Sequence, residues 1–311
     1  MGATGQSEFE IRVPASIANL GPGFDTLAVA VQLYLTLRVF PTTERLSGLK
    51  FDFVDCQLQG ENYIDRAFRF LSKQGPSEIP ALNVEVRTDI PMRSGLGSSA
   101  AATVAGIRLY DAVAGPLSPN QMLNAATALE GHPDNVAAAL LGGLTSSCEL
   151  PDGSATAVQF RWPEALQLIV LTPDFGLSTQ SARQVLPSHV VRADAVYNIQ
   201  RVALLIHSLQ TENFSLLREA LQDKLHQPYR QSLIPGLEEL LHLEHPDLLG
   251  VCLSGAGPSV VALARENIGT IVTLMKKNYA RIGVKCEVRV LEAHQSASVS
   301  EARKAVELPS N

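Results

Sequence analysis

The residues best suited to chemistry stand in a segment of small side chains, PMRSGLGSSAAA, at positions 91–102. This segment opens directly into an Ala-rich stretch with helical spacing. Small side chains let consecutive backbone N–H groups approach an anion, and the start of a helix adds about half a positive charge. The sequence therefore predicts a phosphate-binding loop. Ser98 and Ser99 either contact a phosphate oxygen or its Mg²⁺, or they only cap the helix.

Two better-known phosphate loops do not fit this segment. A Walker A loop requires a Lys after its glycines, and none follows here. Gly95, Gly97 and Ala100 do match the dinucleotide pattern GxGxxA, but that pattern begins straight after a strand. Here residues 89–94 intervene, and the second half of the chain lacks further βαβ units. A Rossmann domain is therefore not expected.

A second polar segment is the turn-rich stretch ANLGPGFD. Asn19 and Asp25 bracket a turn that its glycines and proline force on the backbone. One carboxylate in such a loop suits a cationic or hydroxyl group of a ligand. An Asx-turn without any ligand explains the same residues, so spacing alone leaves both interpretations open.

A third polar segment, EGHPDN, precedes the apolar stretch VAAALLGGL. Its potentially catalytic side chains are Glu130, His132, Asp134 and Asn135. The alternative is that Asp134 only complements the helix dipole and that His132 only caps the helix.

Three residues of the second half complete the candidates. Arg183 and Arg230 carry guanidinium groups, which suit bidentate capture of a carboxylate or a phosphate, and Thr179 lies one helical turn before Arg183. Each of them alone is more often a solvated helix residue.

Hydrophobic periodicity predicts the elements that position these segments. In the first half we predict strands at 9–14, 31–40 and 81–88, and helices at 98–114, 119–130 and 133–141. In the second half we predict strands at 166–171, 249–253, 259–264 and 285–291, and helices at 179–186, 190–209, 212–224, 236–243 and 267–281. The second half reads β, helices, β, β, α, β, which is the ferredoxin-like split motif. We place the boundary between 152 and 165, giving domains 1–160 and 161–311, and expect the tail from about 293 to be frayed.

Composition restricts the classes of protein that remain. The 311 residues are 46% hydrophobic and 18% charged, which is typical of a compact fold and excludes disorder as the main state. The net charge of −6 lacks the basic footprint of a nucleic-acid-binding protein. No apolar run approaches the roughly 20 residues of a membrane span, and no export signal is seen. We therefore expect a cytoplasmic protein without nucleic-acid or membrane partners, and leave open whether it is a monomer or a homodimer.

Three glycine motifs, in this order, resemble the GHMP small-molecule kinases: PASIANLGPGFD, PMRSGLGSSAA and, from Leu253, LSGAGPSVVAL. The resemblance covers about residues 9–291. Within that superfamily, EGHPDNVAAALLGG, LSTQSARQVLP and YRQSLIPG are similar to the homoserine kinase family. This implies an α+β fold with an N-terminal ribosomal S5-like α/β domain and a C-terminal ferredoxin-like βαββαβ domain. It also implies ATP-dependent phosphorylation of the side-chain hydroxyl of L-homoserine, on the route to threonine.

The resemblance assigns the nucleotide side of the site. Ser98 and Glu130 become the candidate Mg²⁺ ligands. The third motif, Ser254, Gly255, Ala256 and Gly257, would support the nucleotide. The ATP phosphates would be wrapped by Pro91, Met92, Arg93, Ser94, Gly95, Leu96, Gly97, Ser98, Ser99, Ala100 and Ala101. Arg93 stands where the family often has a small residue, so it either touches phosphate or points outward.

The resemblance likewise assigns the substrate side. Homoserine would be held by Asn19, Asp25, His132, Asn135, Thr179, Arg183 and Arg230, with Asp25 meeting the ammonium group and the arginines meeting the carboxylate. Asn19, Asn135 and Arg183 would act in catalysis by alignment and charge neutralisation, without Asp134 as a strong general base. The alternatives are a GHMP kinase acting on mevalonate or a sugar, and a non-catalytic member that senses a small ligand.

Overall fold

The computed structural model describes residues 8–41, 48–56, 60–73 and 81–298. Within them the first half contains six strands and four helices. The strands are β1 (Phe9–Ala18), β2 (Leu27–Pro41), β3 (Leu49–Phe53), β4 (Leu82–Thr88), β5 (Leu144–Glu149) and β6 (Ala155–Phe160). The helices are α1 (Tyr63–Ser72), α2 (Ser98–Ala114), α3 (Pro119–Glu130) and α4 (Asp134–Leu141).

These strands form one sheet in the order β3-β4-β2-β5-β6, with β1 antiparallel to the other edge of β2. The long strand β2 joins the sheet together, because it pairs with β4 through residues 35–41 and with β5 through 27–29. The Ala-rich helices α2 and α4 pack against β1. Alanine at the contact lets helix and sheet approach closely. The C-terminal end of β1 and the N-terminal ends of α2 and α4 lie at the same edge of the domain.

The second half contains four strands and six helices within the described residues. The strands are β7 (Gln167–Pro173), β8 (Leu248–Leu253), β9 (Val260–Ala264) and β10 (Cys286–Leu291). The helices are α5 (Thr179–Gln184), α6 (Arg192–Gln210), α7 (Leu217–Ala220), α8 (Gln227–Arg230), α9 (Leu237–Leu241) and α10 (Ile268–Arg281). The strand order β10-β7-β9-β8 is antiparallel throughout, and it is the order of the predicted ferredoxin-like motif.

Strand β7 shows how the two halves share a core. Leu168 and Val170 belong to the large hydrophobic cluster that continues under the first sheet. Ile169 and Leu171, on the other face of the strand, belong to a second cluster that contains residues of α9 and α10. Side chains alternate between the faces of a strand, so the second sheet is covered on both sides. The halves are thus joined by continuous apolar packing, which fixes the cleft between them.

Several predicted elements are confirmed, and five were missed. β3, α1, β5, β6 and α8 have no counterpart among the predictions. Of these, β6 lies inside the stretch 152–165 that we interpreted as a boundary, and it still pairs with β5 in the first sheet. The first two strands are also longer than predicted.

The predicted helix at 212–224 is wrong. The structure has a 3₁₀ turn at Phe214–Leu216 and then only the short helix α7. The Asp223 carboxylate accepts hydrogen bonds from the backbone N–H groups of Leu225, His226 and Gln227. A carboxylate that binds nearby N–H groups competes with helical hydrogen bonds, so the chain turns instead.

The expectation of a frayed tail is wrong for residues 293–298. His294 N–H donates to Ala30 O at 2.8 Å, and Ser298 N–H donates to Leu140 O at 3.1 Å. Ser298 is only 3% exposed. Backbone hydrogen bonds to the first domain hold this segment, while the rest of the predicted tail lies outside the described residues. Across the described ranges, no helix has the length and apolar character needed to cross a membrane.

Candidate active site

The predicted phosphate loop lies between β4 and α2 and adopts backbone conformations that need glycine. Gly95 and Gly97 have φ angles of 82° and 69°. A Cβ on Gly95 would lie 2.4 Å from Ser254 O, and one on Gly97 would lie 2.2 Å from Ser16 Oγ. Both glycines are therefore required by close approach as well as by backbone conformation.

The third glycine motif holds the phosphate loop in place from the second domain. Ser254 Oγ donates to Gly95 O at 2.7 Å, and Ser259 N–H donates to Ser94 O at 3.0 Å. On the first domain's side, Ser16 N–H donates to Leu96 O at 3.2 Å. The loop is thus pinned from both halves of the molecule.

The start of α2 is open for an anion. Its N-cap residue is Gly97, and no side chain caps the helix. The proposed capping role of Ser98 and Ser99 is therefore not observed. The first backbone N–H groups of a helix need a partner, and a phosphate is a suitable one.

Ser99 instead contacts Glu130, at the end of α3. Its Oγ donates to Glu130 Oε2 at 2.8 Å, and Thr103 Oγ1 donates to Glu130 Oε1 at 2.7 Å. Two hydroxyls on successive turns of α2 therefore orient the carboxylate beside the phosphate loop. Ser98, which the sequence paired with Glu130, has no hydrogen bond to it within the described residues.

The segment after α3 forms a chain of polar contacts. His132 Nδ1 lies 2.5 Å from Asp134 Oδ1, which also accepts from Asn135 N–H at 2.7 Å and from Asn135 Nδ2 at 3.2 Å. Ser16 Oγ donates to Asn135 Oδ1 at 2.8 Å. This bond fixes the amide, so its orientation is set by β1 as well as by α4. Burial lowers the pKa of His132, but the hydrogen bond and charge of Asp134 outweigh it, and the pKa is raised overall.

Asp25 and Arg183 form a bidentate ion pair across the cleft. Arg183 Nη1 and Nη2 donate to the two carboxylate oxygens at 2.9 and 2.7 Å. Burial lowers the pKa of Arg183, but the hydrogen bonds and the charge of Asp25 have the larger effect, so the pKa is raised overall. Asn19 Oδ1 accepts from Asp25 N–H at 3.1 Å, and Asn19 Nδ2 donates to Gly255 O at 2.9 Å. The turn therefore connects the carboxylate to the third glycine motif.

Arg230 is a buried cation, only 2% exposed. Its Nε donates to Ala182 O at 3.2 Å and its Nη1 to Gly255 O at 2.9 Å. Among the described residues no carboxylate lies within ion-pair distance of it. Burial and the nearby Arg183 lower its pKa to about 10. A buried cation without a protein anion is stabilised by a ligand that brings a negative charge.

These groups meet in one cavity of about 260 Å³ between the two domains. The predicted site residues that line it are Asn19, Asp25, Arg93, Ser94, Gly95, Gly97, Ser98, Ser99, Glu130, His132, Asn135, Thr179, Arg183, Arg230, Gly255, Ala256 and Gly257. Six others do not line it, namely Pro91, Met92, Leu96, Ala100, Ala101 and Ser254. Leu96, Ala100, Ala101 and Ser254 are buried and support the loop from behind.

A second, more apolar cavity of about 420 Å³ adjoins the first at the phosphate loop. Its walls include Phe53, Ile64, Val86 and Ile90, and it shares Ser98 and Ser99 with the first cavity. Met92 faces this second space. The loop thus separates a polar, charged compartment from an apolar one.

The carboxylates and imidazole of Asp25, His132 and Asp134 come within 4.8 Å of one another. Metal ligation by this group is disfavoured, because Arg183 already neutralises Asp25 and His132 Nδ1 is engaged by Asp134. Glu130 is different, since its only partners within the described residues are hydroxyls. Carboxylate and hydroxyl oxygens are ligands that Mg²⁺ prefers.

Some residues of the site were not predicted from the sequence. Ser16 lies in β1, beyond the predicted end of that strand at residue 14, and Thr103 lies one turn beyond the loop. Phe24, inside the turn, has its ring centroid 5.6 Å from the Arg183 guanidinium and 5.4 Å from that of Arg230. Helical spacing from Ser99 could have indicated Thr103. The other two lie inside the motif PASIANLGPGFD, although their residue types do not single them out.

Comparison with known proteins identifies the family. The chain matches GHMP kinases N terminal domain over residues 62–143 and GHMP kinases C terminal over 205–281, so fold and glycine loop define a small-molecule kinase of the GHMP class. Homoserine kinases from Moorella thermoacetica and Solibacter usitatus are 42% and 40% identical to it, over 90% and 87% of this chain and 96% and 90% of theirs. The crystal structure of homoserine kinase from Cytophaga hutchinsonii is 26% identical, with a TM-score of 0.82 over 96% of this chain and 99% of that one. The chain belongs to the homoserine kinase family, and the predicted family and fold are confirmed.

Proposed function

We propose that this chain transfers the terminal phosphoryl group of ATP to the side-chain hydroxyl of L-homoserine, producing O-phospho-L-homoserine for threonine biosynthesis. The observation that carries the proposal is a single cavity in which the uncapped start of α2 faces Asp25, Arg183 and Arg230. An anion site and a site for a zwitterion are thus adjacent. The phosphates of ATP would bind at the anion site, and an amino acid would bind at the zwitterion site.

The charges of the cavity favour an amino acid over a neutral substrate. Arg230 offers its guanidinium to a carboxylate, because no protein carboxylate pairs with it in the described part of the chain. Asp25 and Arg183 offer opposite charges side by side. Homoserine carries one group of each charge, whereas a sugar carries neither. Mevalonate carries a carboxylate for Arg230 but has no ammonium group for Asp25.

The phosphate chain of ATP would lie along the loop, with its charge on the N–H groups at the start of α2. The adjoining apolar cavity would take the adenosine, since base and ribose need a wall of apolar side chains. Arg93 lines both cavities. It is therefore suited to contact the phosphates at the passage between the two spaces.

Transfer itself would depend on alignment. In a loose transition state the attacking oxygen needs little help from a base, so positioning and neutralisation of charge supply most of the rate. Asn135 would orient the reacting hydroxyl with its amide, which Ser16 holds in place. Asp134 Oδ1 is committed to His132 and Asn135, so its task is to position these two side chains. The hydroxyl proton passes to the transferred phosphate.

Mg²⁺ fits the residues beside the loop. Glu130 and the hydroxyl of Ser99, 2.8 Å apart, offer oxygen ligands next to the start of α2. Ser98 and Glu130 are the two ligands that the resemblance implied. The ion would neutralise the charge of the ATP phosphates. The dependence on ATP also fits the cytoplasmic location expected from the sequence.

Release of ADP with a panel of acceptors tests the proposal. Purified protein, ATP and Mg²⁺ are mixed with L-homoserine, mevalonate or galactose at equal concentrations, and ADP is followed by a coupled assay. Of the three acceptors, we expect only homoserine to give rapid ADP release. Faster release with mevalonate or galactose would assign a different GHMP activity, and release with none of them would favour a ligand sensor.

A further inference from the structure

His226 is buried beneath the proposed substrate site and contacts both of its sides. Its side chain is 0% exposed. Its Nε2 lies 2.7 Å from Gly21 O, in the turn that carries Asn19 and Asp25. Its Nδ1 lies 3.0 Å from Arg230 Nη1. One imidazole therefore joins the turn that carries the carboxylate to the buried guanidinium.

The partners determine where the imidazole proton lies. A carbonyl oxygen only accepts hydrogen bonds, so His226 Nε2 must carry a proton. A guanidinium only donates, so Nδ1 must present its lone pair to Arg230. Both contacts exist only in the neutral ring with its proton on Nε2. Burial agrees with this, because it lowers the pKa of His226.

The surroundings hold the ring in this position. Asp223 Oδ2 accepts from His226 N–H at 3.0 Å, and its other oxygen accepts from Asn198 Nδ2 at 2.7 Å. Phe24 stacks on the imidazole, with ring centroids 5.3 Å apart. The ring is thus fixed at its backbone, on its face and at both nitrogens.

The same contacts account for the orientation of Arg230. Its Nε binds Ala182 O, and its Nη1 is shared by Gly255 O and His226 Nδ1. Within the described residues Nη2 has no protein acceptor, so it is the nitrogen left for a ligand. Without an acceptor at Nδ1, the guanidinium would lose one of the three contacts that fix its plane.

We infer that His226 is a positioning residue for substrate recognition, a neutral Nε2–H imidazole whose Nδ1 orients Arg230 toward the substrate carboxylate and whose Nε2 ties Arg230 to the turn of Asp25. The inference rests on the proposed function, since it takes Arg230 as the carboxylate-binding group. It adds a residue outside the cavity that sets the distance between the two charged ends of the substrate site.

Two matched substitutions separate the two nitrogens. His226→Asn keeps an acceptor near the position of Nδ1 and loses the contact to Gly21, whereas His226→Gln keeps a donor near the position of Nε2 and loses the acceptor for Arg230. Each variant and the wild type are assayed with L-homoserine and with L-homoserinamide, which lacks the carboxylate. Tm is measured for each variant to report folding.

We expect His226→Gln to raise the KM for homoserine about tenfold, which is a typical effect of one hydrogen bond to a charged group. The KM for homoserinamide and the KM for ATP should change less than about twofold, and His226→Asn should remain within about threefold of the wild type for homoserine. An equal loss on homoserine and homoserinamide would mean that His226 only supports the fold, and would overturn the inference.

Nitrogen NMR of histidine-labelled wild type tests the same inference without turnover. We expect one imidazole with a protonated Nε2, an unprotonated Nδ1 and a slowly exchanging proton. A protonated ring, or the Nδ1–H tautomer, would contradict the proposed contact with Arg230. Absence of ADP release with homoserine would refute the proposed function, while these resonances would still decide the state of His226.

Discussion

Asp25 and Arg183, 158 residues apart in sequence, neutralise each other across the domain cleft through two hydrogen bonds of 2.7 and 2.9 Å. The sequence assigned these residues to opposite ends of a substrate, the ammonium and the carboxylate. Their pairing keeps both charges compensated and holds the turn of Asn19 against α5. The ammonium group of a zwitterion could take the place of Arg183 at Asp25, and its carboxylate could take the place of Asp25 at Arg183.

Removal of the arginine should impair use of homoserine severely. Arg183→Ala deletes two charge-assisted hydrogen bonds, and we expect kcat/KM for homoserine to fall about a hundredfold, or ~3 kcal/mol. Arg183→Lys is the matched control, since it keeps the charge but loses the bidentate geometry. Its kcat/KM for homoserine should lie between those of Arg183→Ala and the wild type. Steady-state kinetics with homoserine varied at saturating ATP measures both. Equal activity of Arg183→Ala and the wild type would contradict a role for Arg183 in binding homoserine.

Substitution of Asp134 and substitution of its neighbour Asn135 should have very different effects on kcat. Asp134→Asn keeps an acceptor oxygen for the bonds from His132 and Asn135, so we expect kcat to fall less than about tenfold. Asn135→Leu removes the amide that Ser16 orients, and we expect a loss of about a hundredfold or more. Measured kcat values for the two variants decide the matter. Total loss in Asp134→Asn with an active Asn135→Leu would indicate a general base and contradict the proposed mechanism.

The phosphate loop should not tolerate a side chain at Gly95. Gly95→Ala places a Cβ 2.4 Å from Ser254 O at a φ of 82°, so the loop or the third motif must shift. We expect the KM for ATP to rise at least about tenfold. Gly153→Ala is the control, because Gly153 has a similar φ of 81° but no atom within 4 Å of a new Cβ. It should lose about 1 kcal/mol of stability and keep its ATP kinetics.

The contact between His132 and Asp134 should make stability depend on pH. Because the pKa of His132 is raised, the folded protein holds this proton more tightly than the unfolded chain. The stabilisation is complete below the ordinary value of about 6.5 and is lost as pH rises through the raised folded value. The free energy of unfolding of the wild type minus that of His132→Gln should therefore be larger near about pH 5.5 than near about pH 8.5. Urea denaturation at both pH values measures it, and a constant difference would contradict the assigned contact.

The sequence predicted the loops of the site better than the contacts inside it. The glycine segments could be found because only particular backbone conformations allow an anion or another backbone to come so close, and these conformations restrict residue type. Strand β3 and helix α1 were missed although their patterns are regular. Leu49, Phe51 and Phe53 alternate with polar residues, and Ile64, Ala67 and Phe68 share one helical face after the N-cap residue Asn62. Both elements are short, which weakens a periodic signal. The long Ala-rich helix α2, which ends at Ala114 before a glycine, was predicted closely.

Contacts between distant residues explain the remaining differences. The resemblance implied Ser98 and Glu130 as Mg²⁺ ligands, but it did not show that Ser99 bonds Glu130, because that contact depends on how α2 faces α3. Nor could it show that Asp25 and Arg183 bind each other, since their distance is set by the packing of two domains. His226 carries no motif signal, and its position under Arg230 follows from the turn that Asp223 imposes.

Identification of the phosphorylated product tests the central claim most directly. The protein is incubated with ATP, Mg²⁺ and L-homoserine, and the mixture is followed by phosphorus NMR. We predict one new phosphate monoester whose phosphorus couples to the side-chain CH₂ protons of homoserine, formed in step with ADP. Inorganic phosphate as the only product, or a phosphorus signal on the homoserine carboxylate, would contradict it.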